Sequence, residues 1–245
     1  MFITSRQNPV IKHIRRLGAD AAYRREQGVY LADGRKLLED ALRGGAVPKQ
    51  VLLAEGVSAP ALPETVQAVT VPAALMDSVS PLESPQGVLF ICEIPAPPPA
   101  PPQRGRWFLL DRVQDPGNVG SILRTAEAFA LSGVYLTSGC ADPFSVKAVR
   151  AAMGATFRLT VGTVPVEALL SGPLPLVVAD MDGKAISGEP KDCIVALGSE
   201  GQGISPELRK RADHVISIPT PGKAESLGVA AAAAIIAWEM RECRP

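Results

Sequence analysis

The chain opens on a helical stripe. Val10, Ile11, Ile14 and Leu17 recur at three- and four-residue spacing, with Lys12, Arg15 and Arg16 on the other side, which predicts an amphipathic helix. An apolar run at 29–32 predicts a strand, and 35–43 a helix closed by Gly44-Gly45. Apolar runs at 51–54, 66–69 and 87–94 predict further strands, with a short helix at 73–79. Strands and helices alternate, so this part reads as a small α/β unit. The remainder alternates more regularly. Strands are expected at 107–110, 134–136, 158–161, 176–179, 193–197 and 215–218, and helices at 119–131, 146–153, 166–170, 206–211 and 226–241. These strands are apolar throughout, the mark of a mostly parallel sheet covered on both faces. Ser205 and Ser226 stand where N-caps belong. The last helix, LGVAAAAAIIAWEM, is apolar nearly all round. Such a helix must be buried on most sides, and a second copy of the chain is a natural cover.

Between the two parts lies PAPPPAPP, residues 95–102. Consecutive prolines favour polyproline II and exclude a helix or central strand, so the run reads as a linker. The expected domains are 1–94, a linker at 95–103, and 104–245. Composition narrows the class. With 245 residues, 47% of them hydrophobic, the chain can bury a sizeable core, and disorder as the main state is excluded. No charge-free apolar run approaches the roughly 18 residues of a membrane span. The first residues, MFITSRQNPVIKHIRRL, lack the apolar core of a signal peptide. Cys92, Cys140, Cys193 and Cys243 form no CxxC pair, which suits a reducing compartment. The cytoplasm is therefore expected. His13 and His214 are the only histidines, too few for a multi-histidine metal site. Net charge is formally zero, yet residues 1–36 carry eight Lys/Arg against three Asp/Glu. Any nucleic-acid surface would be local and would start there.

Three segments follow the ends of expected strands, where open α/β sheets bind ligands. The first is DRVQDPGNVGSILRT, 111–125, a proline–glycine turn leading into a helix that carries Arg124. The chain has only two asparagines, Asn8 and Asn118, and one stands in this turn. The second is LGSEGQGI, 197–204. Its glycines run G-x-x-G-x-G, unlike the dinucleotide fingerprint, and Glu200 would repel a pyrophosphate. A ligand with a positive or neutral edge, held by backbone groups, suits it better. The third is ISIPTPGKAESLGV, 216–229, between the last strand and the last helix. No P-loop and no G-x-S-x-G nucleophile elbow occurs, so nucleotidase and serine-hydrolase chemistry find no support. An oxidoreductase on an ordinary doubly wound fold fits the strand pattern but lacks its fingerprint.

Taken together and in order, these segments resemble the SpoU (TrmH-type) branch of the SPOUT RNA methyltransferases. The matching stretches are DRVQDPGNVGSILRTAEAFA, FSVKAVRAAMGATFRL, ALGSEGQGI and ISIPTPGKAESLGVAAAAAI. SRQNPVIKHIRRL and GVYLADGRKLLEDAL are similar to the L30e-like RNA-binding domain often fused in front, with Asp33-Gly34 where that domain usually has Glu-Gly.

The resemblance implies a C-terminal α/β domain with a deep trefoil knot and a mostly parallel sheet, behind a small L30e-like α/β domain. It implies a homodimer, and S-adenosylmethionine held by Leu197, Gly198, Gly201, Ile218, Pro219 and Leu227. It places Asn118, Arg124, Glu200 and Ser226 at the reacting end. The implied reaction is methyl transfer to a ribose 2′-hydroxyl of RNA, with rRNA favoured and tRNA as the second option. Arg124 matches the arginine that the family assigns to loss of the hydroxyl proton. A guanidinium is a poor base, so a clamp on the neighbouring phosphate and the developing alkoxide is the better role. Arg6, Lys12, Arg15, Arg16, Arg24 and Arg25 would contact phosphates. One departure stands out: the third motif usually reads S-L-N-V and here reads Ser226-Leu227-Gly228-Val229. The missing amide keeps open an RNA- or ribosome-binding protein of the same fold without catalysis.

Overall fold

The structure is a computed structural model describing residues 1–82, 85–187, 190–222 and 226–241. Its chain divides into two compact units. One comprises Met1–Pro95 with Phe144–Arg158, the other Ala96–Pro143 with Leu159–Pro245.

The first unit begins with α1 (Pro9–Ala19), α2 (Ala21–Gln27), β1 (Val29–Asp33) and α3 (Arg35–Arg43). It continues with β2 (Gln50–Ala54), β3 (Gln67–Val71), α4 (Ala73–Val79) and β4 (Val88–Glu93). Helix α1 starts where expected because Asn8 caps it, its side-chain oxygen accepting from Val10 N at 2.9 Å, and Pro9 supplies a preset first turn. Ile11, Ile14 and Leu17 are its buried face. Asp20 both ends α1 and caps α2, which stops at Gly28 in the left-handed conformation. The sheet runs β1-β4-β2-β3, with β4 antiparallel to both neighbours and β2 parallel to β3. Segment Phe144–Arg158, which the sequence places with the later domain, belongs to this unit. Its helix, Val146–Ala152, delivers Val146 to the unit's core. Phe144 packs on Tyr30 at 5.1 Å between ring centroids, and Phe157 stacks on Tyr30 at 6.3 Å.

The second unit holds β5 (Arg106–Asp111), α5 (Pro116–Ala128) and β6 (Gly133–Leu136). After α6, the helix just described, come β7 (Thr160–Thr163), α7 (Val166–Leu170), β8 (Leu176–Ala185) and β9 (Cys193–Gly198). The chain ends with α8 (Pro206–Lys210), β10 (His214–Ser217) and α9 (Val229–Glu239). Six strands pair in the order β10-β8-β9-β5-β6-β7, every neighbour parallel. The order steps outward from β5 through β6 and β7, then crosses to the other side with β8, and β9 inserts between β8 and β5. The order thus reverses at β5, and the carboxyl ends of β8, β9 and β10 share one edge of the sheet, the edge at which open α/β sheets bind ligands. Strands β5, β6 and β9 are buried almost end to end, as apolar central strands must be.

The proline run does not hang as a free connector. Residues 96–102 lie on the second unit: Tyr135 donates its hydroxyl to Pro99 O, and Pro98 and Pro101 press on Gly162 and Gly172. A Cβ on Gly162 would come within 2.5 Å of Pro98 Cδ, so a side chain there would lift the run off the sheet.

Candidate active site

Loops leaving β8, β9 and β10, with the start of α9, enclose a cavity of about 500 Å³. That lies within the roughly 300–1,000 Å³ typical of small-molecule sites. Each wall follows from local sequence. β9 ends on Gly198, and the chain doubles back so that Gly203 N donates to Ser199 O at 2.8 Å. A Cβ at 198 would overlap the backbone at Gly203 and Ile204. Only glycine permits that return. The β10 side contributes Ile216, Ser217, Ile218 and Thr220, and α9 contributes Val229, Ala232 and Ile236.

Leu197, Gly198, Glu200, Gly201, Ile218, Ser226 and Leu227, all singled out in the sequence, line this one cavity. Pro219 is exposed and is not among the wall residues. Ser226 does not cap the last helix. That helix starts at Val229 with Gly228 as N-cap and no side-chain cap, while Ser226 stands in the wall. Asn118 reaches the site indirectly, its Nδ2 donating to Glu200 Oε1. Its own backbone NH is held by Asp115 Oδ1 at 2.9 Å, so Asp115 caps α5 and fixes where Asn118 points. Arg124 lies two turns into α5. It is exposed and stands outside the cavity wall.

Asp180 and Met181 belong to the wall but are not foreseen in the sequence. The strand expected to stop at 179 continues as β8 to Ala185 and carries them there. Arg209 holds this rim, with Nε 3.3 Å from Asp180 Oδ2 and Nη2 2.8 Å from Asp182 Oδ1. The available signal is the sequence itself: acidic residues flank a methionine directly after the apolar run VVA.

The described wall residues include two carboxylates, Asp180 and Glu200, and no Lys, Arg or His. Asp180 is already paired with Arg209 at the rim, so Glu200 is the described wall carboxylate that favours a positively charged group over a phosphate. Backbone groups of the glycine loop and apolar side chains from β10 and α9 supply the rest. This donor set fits S-adenosylmethionine, which combines a sulfonium, an ammonium and a flat base. Cys140 lies near the same end of the sheet, but its thiol donates to Leu110 O at 3.2 Å and burial pushes its pKa up. It is a packing residue rather than a nucleophile. Groups of three or more metal-ligating side chains do not occur among the described residues.

In the first unit, Arg6, Lys12, Arg15, Arg16 and Arg25 are exposed. Arg24 departs from the expectation that it contacts phosphate. It is 3% exposed, and Nη1 donates to Leu17 O at 2.5 Å, so its charge braces the end of α1 from inside. Arg16 lies 3.8 Å over the Tyr23 ring and 3.7 Å from Asp20. The Tyr23 hydroxyl meets His13 Nδ1 at 2.8 Å, and partial burial lowers the His13 pKa.

A parallel sheet with an acidic, glycine-walled pocket beyond the carboxyl ends of β8, β9 and β10, in a chain whose other unit carries a basic helical face, suits a transferase that takes a positively charged donor and acts on a polyanion. Comparison with known proteins agrees. Residues 106–238 match the SpoU rRNA Methylase family, and residues 8–89 match the MRM3-like substrate binding domain. The chain is 32% identical to the 23S rRNA (guanosine(2553)-2′-O)-methyltransferase RlmP of Bacillus subtilis, covering 98% of both chains. It is 33% identical to an uncharacterized tRNA/rRNA methyltransferase of Synechocystis, over 98% of this chain and 93% of the other. Among solved structures, the AdoMet-bound rRNA methyltransferase from Sinorhizobium meliloti superposes with a TM-score of 0.84 at 29% identity, over 98% of this chain and 97% of the other. The chain belongs to the SpoU rRNA methylase family. It is an S-adenosylmethionine-dependent RNA 2′-O-methyltransferase.

Proposed function

We propose that this enzyme methylates a ribose 2′-hydroxyl of 23S rRNA, in the cytoplasm, as a homodimer. The observation that carries the reading is the cavity: a glycine loop, two carboxylates and no cation among its described wall residues, beyond the carboxyl ends of β8, β9 and β10 of a parallel sheet. The N-terminal unit, with its exposed cations, would hold the RNA, and names of relatives such as RlmP point to 23S rRNA. No helix among the described residues is long and apolar enough to cross a membrane.

S-adenosylmethionine, once bound, supplies a methyl group already activated by its sulfonium. The protein's part is placement and charge. Leu197, Gly198, Gly201, Ile218 and Leu227 would hold the donor through backbone groups and apolar contacts. Asn118 fixes the Glu200 carboxylate, and Ser226 lines the same cavity. Arg124, exposed and permanently charged, would clamp the RNA phosphate beside the target ribose and stabilise the alkoxide as the hydroxyl proton leaves. Positioning of this kind can supply several kcal/mol of barrier lowering. Among the described residues nothing lies within 4 Å of where a Cβ on Gly228 would project, so a glycine in place of the motif asparagine leaves no packing defect among them.

The dimer would form through α9. Its residues Ala231 and Trp238 are exposed and Ala234 and Ile235 half-buried, which makes an apolar stripe on the side away from the core. Trp238 is 51% exposed and touches Phe129 edge-on. Sedimentation should show a dimer at micromolar concentration that Trp238→Lys converts to monomer.

The substrate assignment is tested with methyl-labelled S-adenosylmethionine and ribosomal RNA from cells lacking the protein. The expected result is label in 23S rRNA, recovered after alkali as a resistant dinucleotide because a 2′-O-methyl group blocks cleavage. Label confined to tRNA or to a base would overturn it.

A further inference from the structure

The loop that forms the cavity wall does not stand alone. Its outer side is tied to the segment after β5. Asp111, 3% exposed, accepts from Ser205 N at 2.7 Å through Oδ2 and from Thr137 Oγ1 at 3.3 Å through Oδ1. Arg112 Nη1 donates to Gln202 Oε1 at 2.9 Å, at the tip of the loop. The Arg112 Nε lies 3.3 Å from Asp111 Oδ1. The same residue adopts a left-handed backbone, φ 57°, although it is not glycine. Its NH donates to Thr137 Oγ1 at 3.1 Å.

A non-glycine residue with positive φ is strained unless its surroundings hold it there. At 112 the strain comes with a guanidinium stretched between a buried carboxylate on its own strand and the tip of a glycine loop on the next. A loop containing Gly201 and Gly203 has few conformational restraints of its own. Something outside must choose its shape.

We propose that Arg112 is a positioning residue for the methyl-donor site: acting through Gln202, it latches the 199–204 loop in its donor-binding shape. The latch rests on the reading of the cavity as the S-adenosylmethionine site. Arg112 itself is absent from the cavity wall, so its effect on the donor passes through the loop. Gln202 is an exposed loop residue, and removing its amide should leave the fold intact.

The test is a double-mutant cycle with Arg112→Gly and Gln202→Ala. Arg112→Gly removes the backbone strain together with the latch, and Gln202→Ala removes the acceptor together with whatever Gln202, a wall residue, offers the donor directly; the coupling between the two substitutions is what reports the latch. In donor-free protein, amide exchange at 199–204 should quicken in each variant, while the Tm stays close to the parent in Gln202→Ala and falls in Arg112→Gly, which leaves the buried Asp111 carboxylate without its guanidinium partner. S-adenosylmethionine should bind about tenfold more weakly to each, and no more weakly to the double variant than to Gln202→Ala, with kcat of Arg112→Gly at saturating donor within about twofold of the parent. Gln202→Glu keeps an acceptor for Arg112 and should restore binding. Additive losses in the double variant, unchanged exchange, or, in Gln202→Ala, a loss of affinity that follows a falling Tm would overturn the latch. A parent that took up no S-adenosylmethionine would instead overturn the proposed function, and the exchange data would decide the latch by themselves.

Discussion

The two chemistry-bearing regions are built in opposite ways. The cavity wall at 198–205 is shaped by backbone and held by hydrogen bonds from neighbouring segments: Asp111 to Ser205, Arg112 to Gln202, Asn118 to Glu200. The basic face on α1 and α2 is an array of exposed side chains on two capped helices. The difference teaches what each can recognise. A wall fixed by backbone geometry can select one small ligand with little reorganisation on binding. Exposed cations impose no such shape and deliver attraction to phosphates wherever these lie, at the expense of strong salt dependence.

The contrast can be broken at its sharpest point with Arg124→Ala. Turnover should fall by roughly 10²–10³, as when a charge-stabilising donor is removed, while S-adenosylmethionine affinity measured by titration stays within about twofold. Equal loss of both would make Arg124 part of the cavity's structure rather than an RNA-facing group. On the basic face, Lys12→Ala and Arg15→Ala should each weaken RNA binding several-fold. Each should also lower the slope of log K against log salt by about one, with donor affinity untouched. A flat salt response would remove these residues from the interface.

Arg24 sharpens the comparison because it looks like a member of the basic face and is not. Arg24→Met should destabilise the N-terminal unit by about 1–3 kcal/mol, since a charge-assisted bond to Leu17 O is lost. Its effect on the salt slope of RNA binding should be negligible. Asp33 offers a pH test within the same unit. Burial raises its pKa despite the Ser80 hydroxyl on Oδ2 at 2.9 Å and the pull of Arg150 and the Gln86 backbone, and among the described residues its Oδ1 has no side-chain or backbone bond within ordinary hydrogen-bond geometry. The folded state therefore holds this proton to higher pH than the unfolded state. Stability from this group is full below the unfolded value and declines as pH rises through the folded one. Asp33→Asn should remove that decline and melt higher than the parent at neutral pH. The smallest effect belongs to Gly228→Asn, which supplies α9 with a capping side chain and should add a few tenths of a kcal/mol in thermal melting.

What the sequence revealed was local. Apolar runs mark the strands, and the glycine and proline turns after β9 and β10 mark the cavity, because a ligand site at the carboxyl ends of parallel strands is made of consecutive residues following each strand. Helix α2 escaped notice: AAYRREQ has no apolar stripe and exists because Asp20 caps it and Gly28 ends it. The extension of β8 to Ala185, which carries Asp180 and Met181 to the wall, depends on pairing with β10 across a register shift at Val215/Ile216. The place of Phe144–Arg158 in the first unit rests on ring packing with Tyr30 and Phe90, whose partners lie far away in sequence. Burial of Arg24 likewise depends on how α2 meets α1. Long-range packing decided each of these, and a pattern read along the chain carries no record of it.

Everything turns on where the methyl donor sits. A crystal structure of the protein with S-adenosylmethionine should show it between 197–204 and 216–220, against Leu227 and the start of α9, with the Arg112–Gln202 bond intact. Donor density anywhere else on the chain would contradict that placement.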